Sequence, residues 1–233
     1  MGASLSNMQQ LNARPEPLEV DFARSAILVV DMQNAFASKG GTLDIAGADL
    51  TEAPAVVRAI RSVLDAARPA GVPIVYLQTG YKRDLSDAGG LRSPNYHKET
   101  AMRLMCAKPE LKGKLLTEGG WDFQIVDELA PQPSDIVVVK TRYSGFAGTT
   151  LDSQLRVRGI QYLFFAGIAA NVCVESTLRD AYFHDYWPIL LTDGTMQAGE
   201  RSAYDATIFN VESFFGWTID SKQLCAALAA KGG

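Results

Sequence analysis

The sequence predicts an α/β fold built on one mostly parallel sheet, and three observations carry that prediction. Short, continuous apolar runs of strand length recur six times along the chain. Segments with apolar residues at helical spacing lie between these runs. The 233 residues, 47% of them hydrophobic and 21% charged, are enough for one large buried core. Because alternating strands and helices form parallel sheets covered on both faces, we expect a three-layer α/β/α, Rossmann-like arrangement.

The predicted strands are apolar runs without the regular alternation of polar and apolar residues that marks a half-exposed strand. Such runs are typical of parallel strands buried on both faces. In chain order we expect them at residues 25–31, 73–78, 135–140, 161–166, 188–192 and 217–219. Right-handed crossovers and a strand order of 3-2-1-4-5-6 complete the predicted sheet.

The predicted helices fill the intervals between the strands. Apolar spacing and stop signals such as Gly71 and Gly159 predict helices at residues 52–70, 121–129, 150–158, 173–185, 200–215 and 221–230. The one long irregular stretch, residues 79–120, contains a predicted short helix near 99–105. Long insertions in compact domains often bind ligands, so we expect substrate specificity to reside there.

Composition and charge exclude several classes of function. Residues 1–20 are polar and without a hydrophobic signal core, which predicts a flexible N-terminal leader before a single domain at 21–233. The net charge of −4 and the absence of a basic stripe argue against nucleic-acid or membrane-surface partners. No apolar run approaches a membrane span. Three widely spaced cysteines form no disulfide framework, which favours a cytoplasmic location.

Three reactive side chains lie at or just after predicted strand ends: Asp31, Lys140 and Cys173. Ligands of open parallel sheets bind beyond these carboxyl ends. Cys173 follows Gly167 and a turn of small residues at a predicted helix N-terminus, where the helix dipole lowers a thiol pKa. The alternatives are a buried, inert cysteine, a carboxylate that only caps a loop, and a solvated lysine.

The three residue types together suit nucleophilic catalysis. A thiol attacks a carbonyl only as its thiolate, so it needs a nearby group to accept its proton. A carboxylate serves that purpose but raises the thiol pKa by repulsion, which a neighbouring cation offsets. Backbone amides of residues 168–171 would then face the developing oxyanion.

Three segments resemble the isochorismatase-like cysteine hydrolases: Val29-Val30-Asp31-Met32-Gln33, the strand ending in Lys140, and residues 167–177 with Cys173. The resemblance covers the chain from about Arg24 onward and implies a catalytic triad of Asp31, Lys140 and Cys173. It also implies a non-proline cis peptide at Ile168–Ala169, an oxyanion hole of the Ala169 and Cys173 amides, and a homo-oligomer. The family usually has Thr in the turn where this chain has Ala170.

Further segments are similar to the ureidoacrylate amidohydrolases of pyrimidine catabolism: residues 88–90, 92–98, 113–116, 121–122, 142–146, 151–153 and 210–217. This similarity implies cleavage of the ureido C–N bond of ureidoacrylate, through a carbamoyl thioester, to aminoacrylate and carbamate. The loop at 79–87 differs from the family pattern. Two alternatives therefore stay open: an amidase for another ureide such as biuret, triuret or N-carbamoylsarcosine, and a non-catalytic isochorismatase-like module.

Four polar residues are predicted to line the substrate pocket: Gln78, Ser93, Asn95 and Tyr143. The alternative for each is ordinary loop hydrogen bonding. A substrate carboxylate paired with a basic side chain in the pocket would favour ureidoacrylate, and a neutral, amide-lined pocket would favour biuret-like substrates.

Cofactor sites have no support in the sequence. Nicotinamidase-like relatives bind a metal through an Asp and several His, whereas this chain has only His97 and His184, far apart, so we expect no metal. No Gly-x-Gly-x-x-Gly follows a strand. We therefore expect no cofactor.

Overall fold

The computed structural model describes residues 8–231, and its centre is a six-stranded parallel sheet. A small antiparallel pair comes first, formed by β1 (Met8–Leu11) and β2 (Leu18–Asp21). The strands of the large sheet follow: β3 (Ser25–Val30), β4 (Ile74–Thr79), β5 (Ile136–Lys140), β6 (Tyr162–Ile168), β7 (Trp187–Met196) and β8 (Trp217–Ile219). Their order across the sheet is β5-β4-β3-β6-β7-β8, and every neighbouring pair is parallel. The α/β fold class and the 3-2-1-4-5-6 order are confirmed.

Helices cover both faces of the sheet. One apolar cluster contains residues of α3 (Ala53–Ala67) and α9 (Ser221–Lys231), and the other contains residues of α6 (Leu151–Arg156) and α7 (Glu175–Phe183), with α8 (Arg201–Asn210) packed beside it. In β3, Val29 belongs to the first cluster and Val30 to the second. Because successive side chains of a strand point to opposite faces, a strand covered on both faces is apolar throughout.

Four short helices lie beyond the carboxyl ends of the strands, where the candidate site forms. They are α1 (Asn34–Ala37) and α2 (Thr42–Ile45) after β3, and α4 (Pro94–Lys98) and α5 (Thr100–Ala107) after β4. No helix among residues 8–231 is long and apolar enough to cross a membrane.

The expectation of a flexible leader was wrong for residues 8–20. These residues form most of the β1–β2 hairpin, and Leu11, Leu18 and Val20 are buried in the first apolar cluster. Leu18-Glu19-Val20 alternates apolar and charged side chains, a period-two pattern that predicts a half-buried strand. Residues 1–7 of the predicted leader lie outside the described residues.

The predicted helix at 121–129 was also wrong. The segment consists of turns and one 3₁₀ turn at Asp127–Leu129. Side chains from distant segments form hydrogen bonds with this backbone, since Gln33 and Gln78 both donate to the Phe123 carbonyl oxygen at 2.8 Å. The Asp122 carboxylate in turn accepts the Thr42 hydroxyl at 2.8 Å. These contacts between distant segments outweigh the local helical pattern.

Two other predicted helices contain π-helical turns. The helix expected at 173–185 begins as a π turn at Ala170–Val174 and continues as α7. The helix expected at 200–215 is α8 followed by a π turn at Val211–Phe215. Such turns occur frequently at functional sites, and the first of them carries Cys173.

Candidate active site

An ion pair between Asp31 and Lys140 lies at the carboxyl edge of the sheet. Asp31 directly follows β3 with φ of 52°, a left-handed conformation that Asp tolerates better than most residues. Lys140 ends β5, two strands away, and its side chain extends across the end of β4. Lys140 Nζ lies 2.8 Å from Asp31 Oδ2, and both side chains are fully buried. Parallel strands thus bring together two charges that are 109 residues apart in sequence.

Thr79, the last residue of β4, bridges the two charges. Its hydroxyl accepts a hydrogen bond from Lys140 Nζ at 2.6 Å and donates to Asp31 Oδ1 at 3.0 Å. Its amide donates to the same carboxylate oxygen at 3.0 Å and to Gln33 Oε1 at 2.8 Å. We did not predict Thr79 as a site residue. The sequence signal that could have identified it is its position at the carboxyl end of β4, the strand that lies between β3 and β5 in the sheet.

The turn that carries Cys173 depends on close backbone contact at Gly167. Gly167 has φ of 128°, and a side chain there would place its Cβ 1.9 Å from the Val30 carbonyl oxygen. The peptide bond between Ile168 and Ala169 is cis, as the family resemblance implied. The Thr177 hydroxyl then donates to the Cys173 carbonyl at 2.6 Å, which ties the turn to α7. The Cys173 thiol is buried and within hydrogen-bonding reach of the Asp31 and Lys140 side chains.

The thiol is held in its neutral form. Burial raises the pKa of Cys173 well above its usual range, and although Lys140 opposes this shift, the charge of Asp31 and a hydrogen bond to it add to the rise. Burial tends to lower the pKa of Lys140, but Asp31 and Cys173 together raise it, so the ammonium stays charged. Our expectation that a helix N-terminus lowers the thiol pKa was wrong, because desolvation of the buried thiol dominates the shift.

A cavity of about 90 Å³ opens above Cys173. This volume corresponds to about three water molecules, which suits a small planar group such as a ureide. Its lining is largely apolar, with a few polar groups, and comprises Phe36, Leu43, Thr79, Glu99, Thr100, Tyr143, Ile168, Ala169, Val172, Cys173 and Ala198. The buried carboxyl group of Glu99 was not among our predicted site residues.

Of the four residues predicted to line the pocket, Tyr143 does so. Burial and the nearby Glu99 raise the Tyr143 pKa to about 12, so its hydroxyl is a neutral hydrogen-bonding group. The expected position was wrong for Gln78, Ser93 and Asn95, which are not among the lining residues and are occupied elsewhere.

Those three side chains stabilise the surrounding loops. Gln78 donates to the Phe123 carbonyl at 2.8 Å, and Asn95 donates to the Tyr81 hydroxyl at 3.0 Å. The Ser93 hydroxyl accepts the Asn95 amide at 3.3 Å and caps α4. These three polar side chains therefore form hydrogen bonds within the protein. This is the alternative role, ordinary loop hydrogen bonding, that the sequence left open for them.

The histidines lie away from the cavity. His97 contacts the Leu91 carbonyl at 2.8 Å, and His184 stacks on Phe146. Within residues 8–231, no group of three or more His, Cys, Asp or Glu side chains is arranged to hold a metal ion. The expectation that the protein uses no metal stays a prediction.

The family described as "Isochorismatase domain" matches residues 25–223, which is most of the chain. The chain belongs to the isochorismatase family. Two family members of similar sequence are named ureidoacrylate amidohydrolase RutB. One, from Cronobacter turicensis, is 53% identical over 96% of both chains. The other, from Azorhizobium caulinodans, is 57% identical over 89% of this chain and 91% of its own.

Solved structures in the family share the fold. A cysteine hydrolase from Pseudomonas syringae pv. phaseolicola has a TM-score of 0.76 at 26% identity and covers 91% of this chain and 95% of its own. N-carbamoylsarcosine amidase from Thermoplasma acidophilum has a TM-score of 0.64 at 26% identity, with 85% and 96% covered. The predicted resemblance to isochorismatase-like hydrolases is confirmed.

Proposed function

We propose that this protein is a ureidoacrylate amidohydrolase in which Cys173 is the nucleophile. The observation that carries the proposal is the buried Asp31–Lys140 pair beside the Cys173 thiol, under a cavity of ureide size. The proposal draws further support from relatives named ureidoacrylate amidohydrolase that are 53% and 57% identical over most of the chain. Hydrolysis of a linear C–N amide bond is the reaction class.

In the first half of the proposed reaction, Asp31 accepts the Cys173 proton as the sulfur attacks the ureido carbonyl carbon. A C–S bond forms, and the carbonyl oxygen becomes an oxyanion that the amides of Ala169 and Cys173 stabilise. The C–N bond to the acrylate nitrogen then breaks, and Asp31 returns the proton to that nitrogen. Aminoacrylate leaves, and a carbamoyl group remains on the sulfur.

In the second half, water hydrolyses the carbamoyl thioester. Asp31 accepts a proton from water, the hydroxide attacks the carbamoyl carbon, and the C–S bond breaks. The thiolate regains a proton from Asp31, and the product leaves as carbamic acid, which loses a proton to solvent to give carbamate. Lys140 stays protonated throughout and, with Thr79, holds the carboxylate in position.

The high thiol pKa fits this use of Asp31. A buried thiol that stays protonated does not react with water-borne electrophiles. It becomes nucleophilic when a substrate carbonyl occupies the cavity and its proton moves to the adjacent carboxylate. Proton transfer and attack are thereby confined to the bound complex.

A second candidate is hydrolysis of a ureide without a carboxylate, such as biuret. The cavity lining contains the acid Glu99 but no Lys or Arg, so it offers a substrate carboxylate no charged partner within the cavity. Arg92 and Lys98, the basic residues of the segment at 92–98, are exposed. In a ureidoacrylate complex, the acrylate carboxylate therefore faces the cavity mouth, with the ureido group inside.

The test measures substrate loss and ammonia formation for ureidoacrylate, biuret, triuret and N-carbamoylsarcosine. We expect the highest kcat/KM for ureidoacrylate. Cys173→Ser should lower kcat by several orders of magnitude, as loss of a nucleophile does in other hydrolases, with an unchanged unfolding temperature. Cys106→Ser, which alters an exposed free thiol, is the matched control and should keep full activity.

Three outcomes would contradict the proposal. Preference for biuret would favour the second candidate function. Unchanged turnover in Cys173→Ser would show that Cys173 is not the nucleophile. Inactivity on every ureide would favour the non-catalytic module.

We further propose that the protein is a cytoplasmic homo-oligomer. Several aromatic side chains are more than two-fifths exposed and lie in contact with one another or with neighbouring rings: Tyr182, Phe183, Trp187, Phe209 and Phe214. Large exposed apolar patches mark interaction surfaces, and a second copy is the partner that the family resemblance favours. The three free cysteines support a reducing compartment.

A further inference from the structure

The proposed reaction does not use Glu99, a buried carboxyl group in the wall of the cavity. Glu99 is 4% exposed and lines the cavity together with Cys173 and Tyr143. One carboxylate oxygen, Oε2, accepts the Met102 amide at 2.9 Å, as an N-cap of α5. A buried carboxylate is costly to keep in an apolar cavity. Capping alone does not call for Glu, because shorter Ser, Asp and Asn cap helices better.

The charge of Glu99 acts on the reacting groups. It contributes to raising the pKa of the Cys173 thiol and of the Tyr143 hydroxyl, and it is attracted to the Lys140 ammonium. The charge of Glu99 also contributes to raising the pKa of Tyr81, beyond the end of β4. Glu99 therefore faces the same cavity as the nucleophile.

A ureido group presents different chemistry on its two edges, and the cavity lining that contains Glu99 also includes Ala169 and Cys173. The carbonyl oxygen of the ureido group lies on one edge, and its N–H groups lie on the opposite edge. When the oxygen faces the Ala169 and Cys173 amides, the N–H edge faces the opposite wall of the cavity. An ionised carboxylate accepts hydrogen bonds from such N–H groups and donates none. These charge-assisted bonds are stronger than bonds between neutral groups.

We propose that Glu99 is a specificity-determining residue that accepts hydrogen bonds from the terminal NH2 of the ureido group. It selects carbamoyl compounds over acyl compounds that have a methyl group in place of that NH2. This inference rests on the proposed function, since it assigns a role within the same site.

The test compares ureidoacrylate with 3-acetamidoacrylate, in which a methyl group replaces the NH2. Glu99→Gln keeps the side-chain shape but loses the charge, and Glu99→Ser keeps a good N-cap but withdraws the carboxyl from the cavity. We expect each variant to raise KM for ureidoacrylate roughly ten- to a hundredfold, the usual effect of losing a hydrogen bond to a charged group. The preference for ureidoacrylate over 3-acetamidoacrylate should fall by the same factor.

The pH dependence gives a second readout. Burial raises the pKa of Glu99 above its ordinary range, so the wild-type KM should rise as pH falls through that raised value and the carboxylate is protonated. In Glu99→Gln this rise in KM should disappear. Far-ultraviolet circular dichroism and the unfolding temperature show whether the variants remain folded.

The possible outcomes separate the two proposals. Inactive wild-type enzyme on ureidoacrylate would overturn the proposed function. Active wild-type enzyme with the same KM and the same discrimination in folded Glu99→Gln and Glu99→Ser would overturn the role of Glu99 alone. It would leave Glu99 as a helix cap.

Discussion

The buried Lys140–Asp31 pair predicts that losing one of the two charges destabilises this protein more than losing both. In Lys140→Met the unbranched side chain fills most of the same space, but the Asp31 carboxylate loses its ammonium partner at 2.8 Å. The Thr79 hydroxyl loses a hydrogen-bond donor at the same time. Both side chains of the pair are fully buried, so water cannot replace the lost contacts.

The expected loss is large for a single substitution. Removing one partner of a buried ion pair costs about 3–5 kcal/mol. In a chain of this size, each kcal/mol corresponds to about 2–4 °C in Tm. Lys140→Met should therefore lower Tm by roughly 6–20 °C. Arg61→Met is the matched control, because Arg61 and Asp65 are both more than half exposed. It should cost less than about 1 kcal/mol.

The double variant separates an unpaired charge from simple loss of packing. Asp31→Asn suits the left-handed backbone at this position, and combined with Lys140→Met it leaves no charge at the site. We expect the double variant to regain most of the stability lost in Lys140→Met, although both variants should be inactive. Thermal unfolding followed by circular dichroism measures all of these values. A Tm for Lys140→Met within 2 °C of wild type (about 1 kcal/mol or less), or a double variant no more stable than the single one, would refute this reasoning.

Two further predictions concern the thiol and the oligomer. Because burial and the contact with Asp31 raise the Cys173 pKa, the thiolate forms only in alkaline solution. Mass spectrometry of iodoacetamide-treated protein should therefore show Cys173 alkylation increasing only well above neutral pH, with exposed Cys106 as the reagent control. A midpoint below about pH 8 would be inconsistent with a protonated resting thiol. Phe183→Ser combined with Phe214→Ser should reduce the molar mass measured by light scattering while far-ultraviolet circular dichroism still shows a folded protein, with a lower Tm because association stabilises the folded state. A monomeric wild-type protein would contradict the proposed interface.

Much of the fold was predictable because its signals are local. A parallel strand buried on both faces is a continuous apolar run, and five of the six predicted strands lie within two residues of the observed bounds at each end, while β7 continues to Met196. The non-helical structure of residues 121–129 was not predictable in this way, because distant side chains bind the Phe123 carbonyl. The β1–β2 hairpin was missed because its strands have only four residues each and gain their stability by packing on the core.

The site residues likewise include some that the sequence predicted correctly and some that it did not. Asp31, Lys140 and Cys173 are the reactive side chains at or just beyond strand ends, a position that sequence alone reveals. Gln78, Ser93 and Asn95 are polar loop residues, and sequence does not distinguish substrate contacts from hydrogen bonds within a loop. The fold was needed to show that, of the four predicted residues, Tyr143 is the one whose side chain lines the cavity.

The sequence by itself determined the family, the α/β architecture and the three residues proposed for catalysis, because each leaves a short-range pattern in the chain. The tertiary structure decided the protonation of Cys173 and the presence of Thr79 and Glu99 at the site. Those properties depend on desolvation and on distances between segments far apart in sequence. A pattern of residues specifies neither of these quantities until the strands are placed side by side.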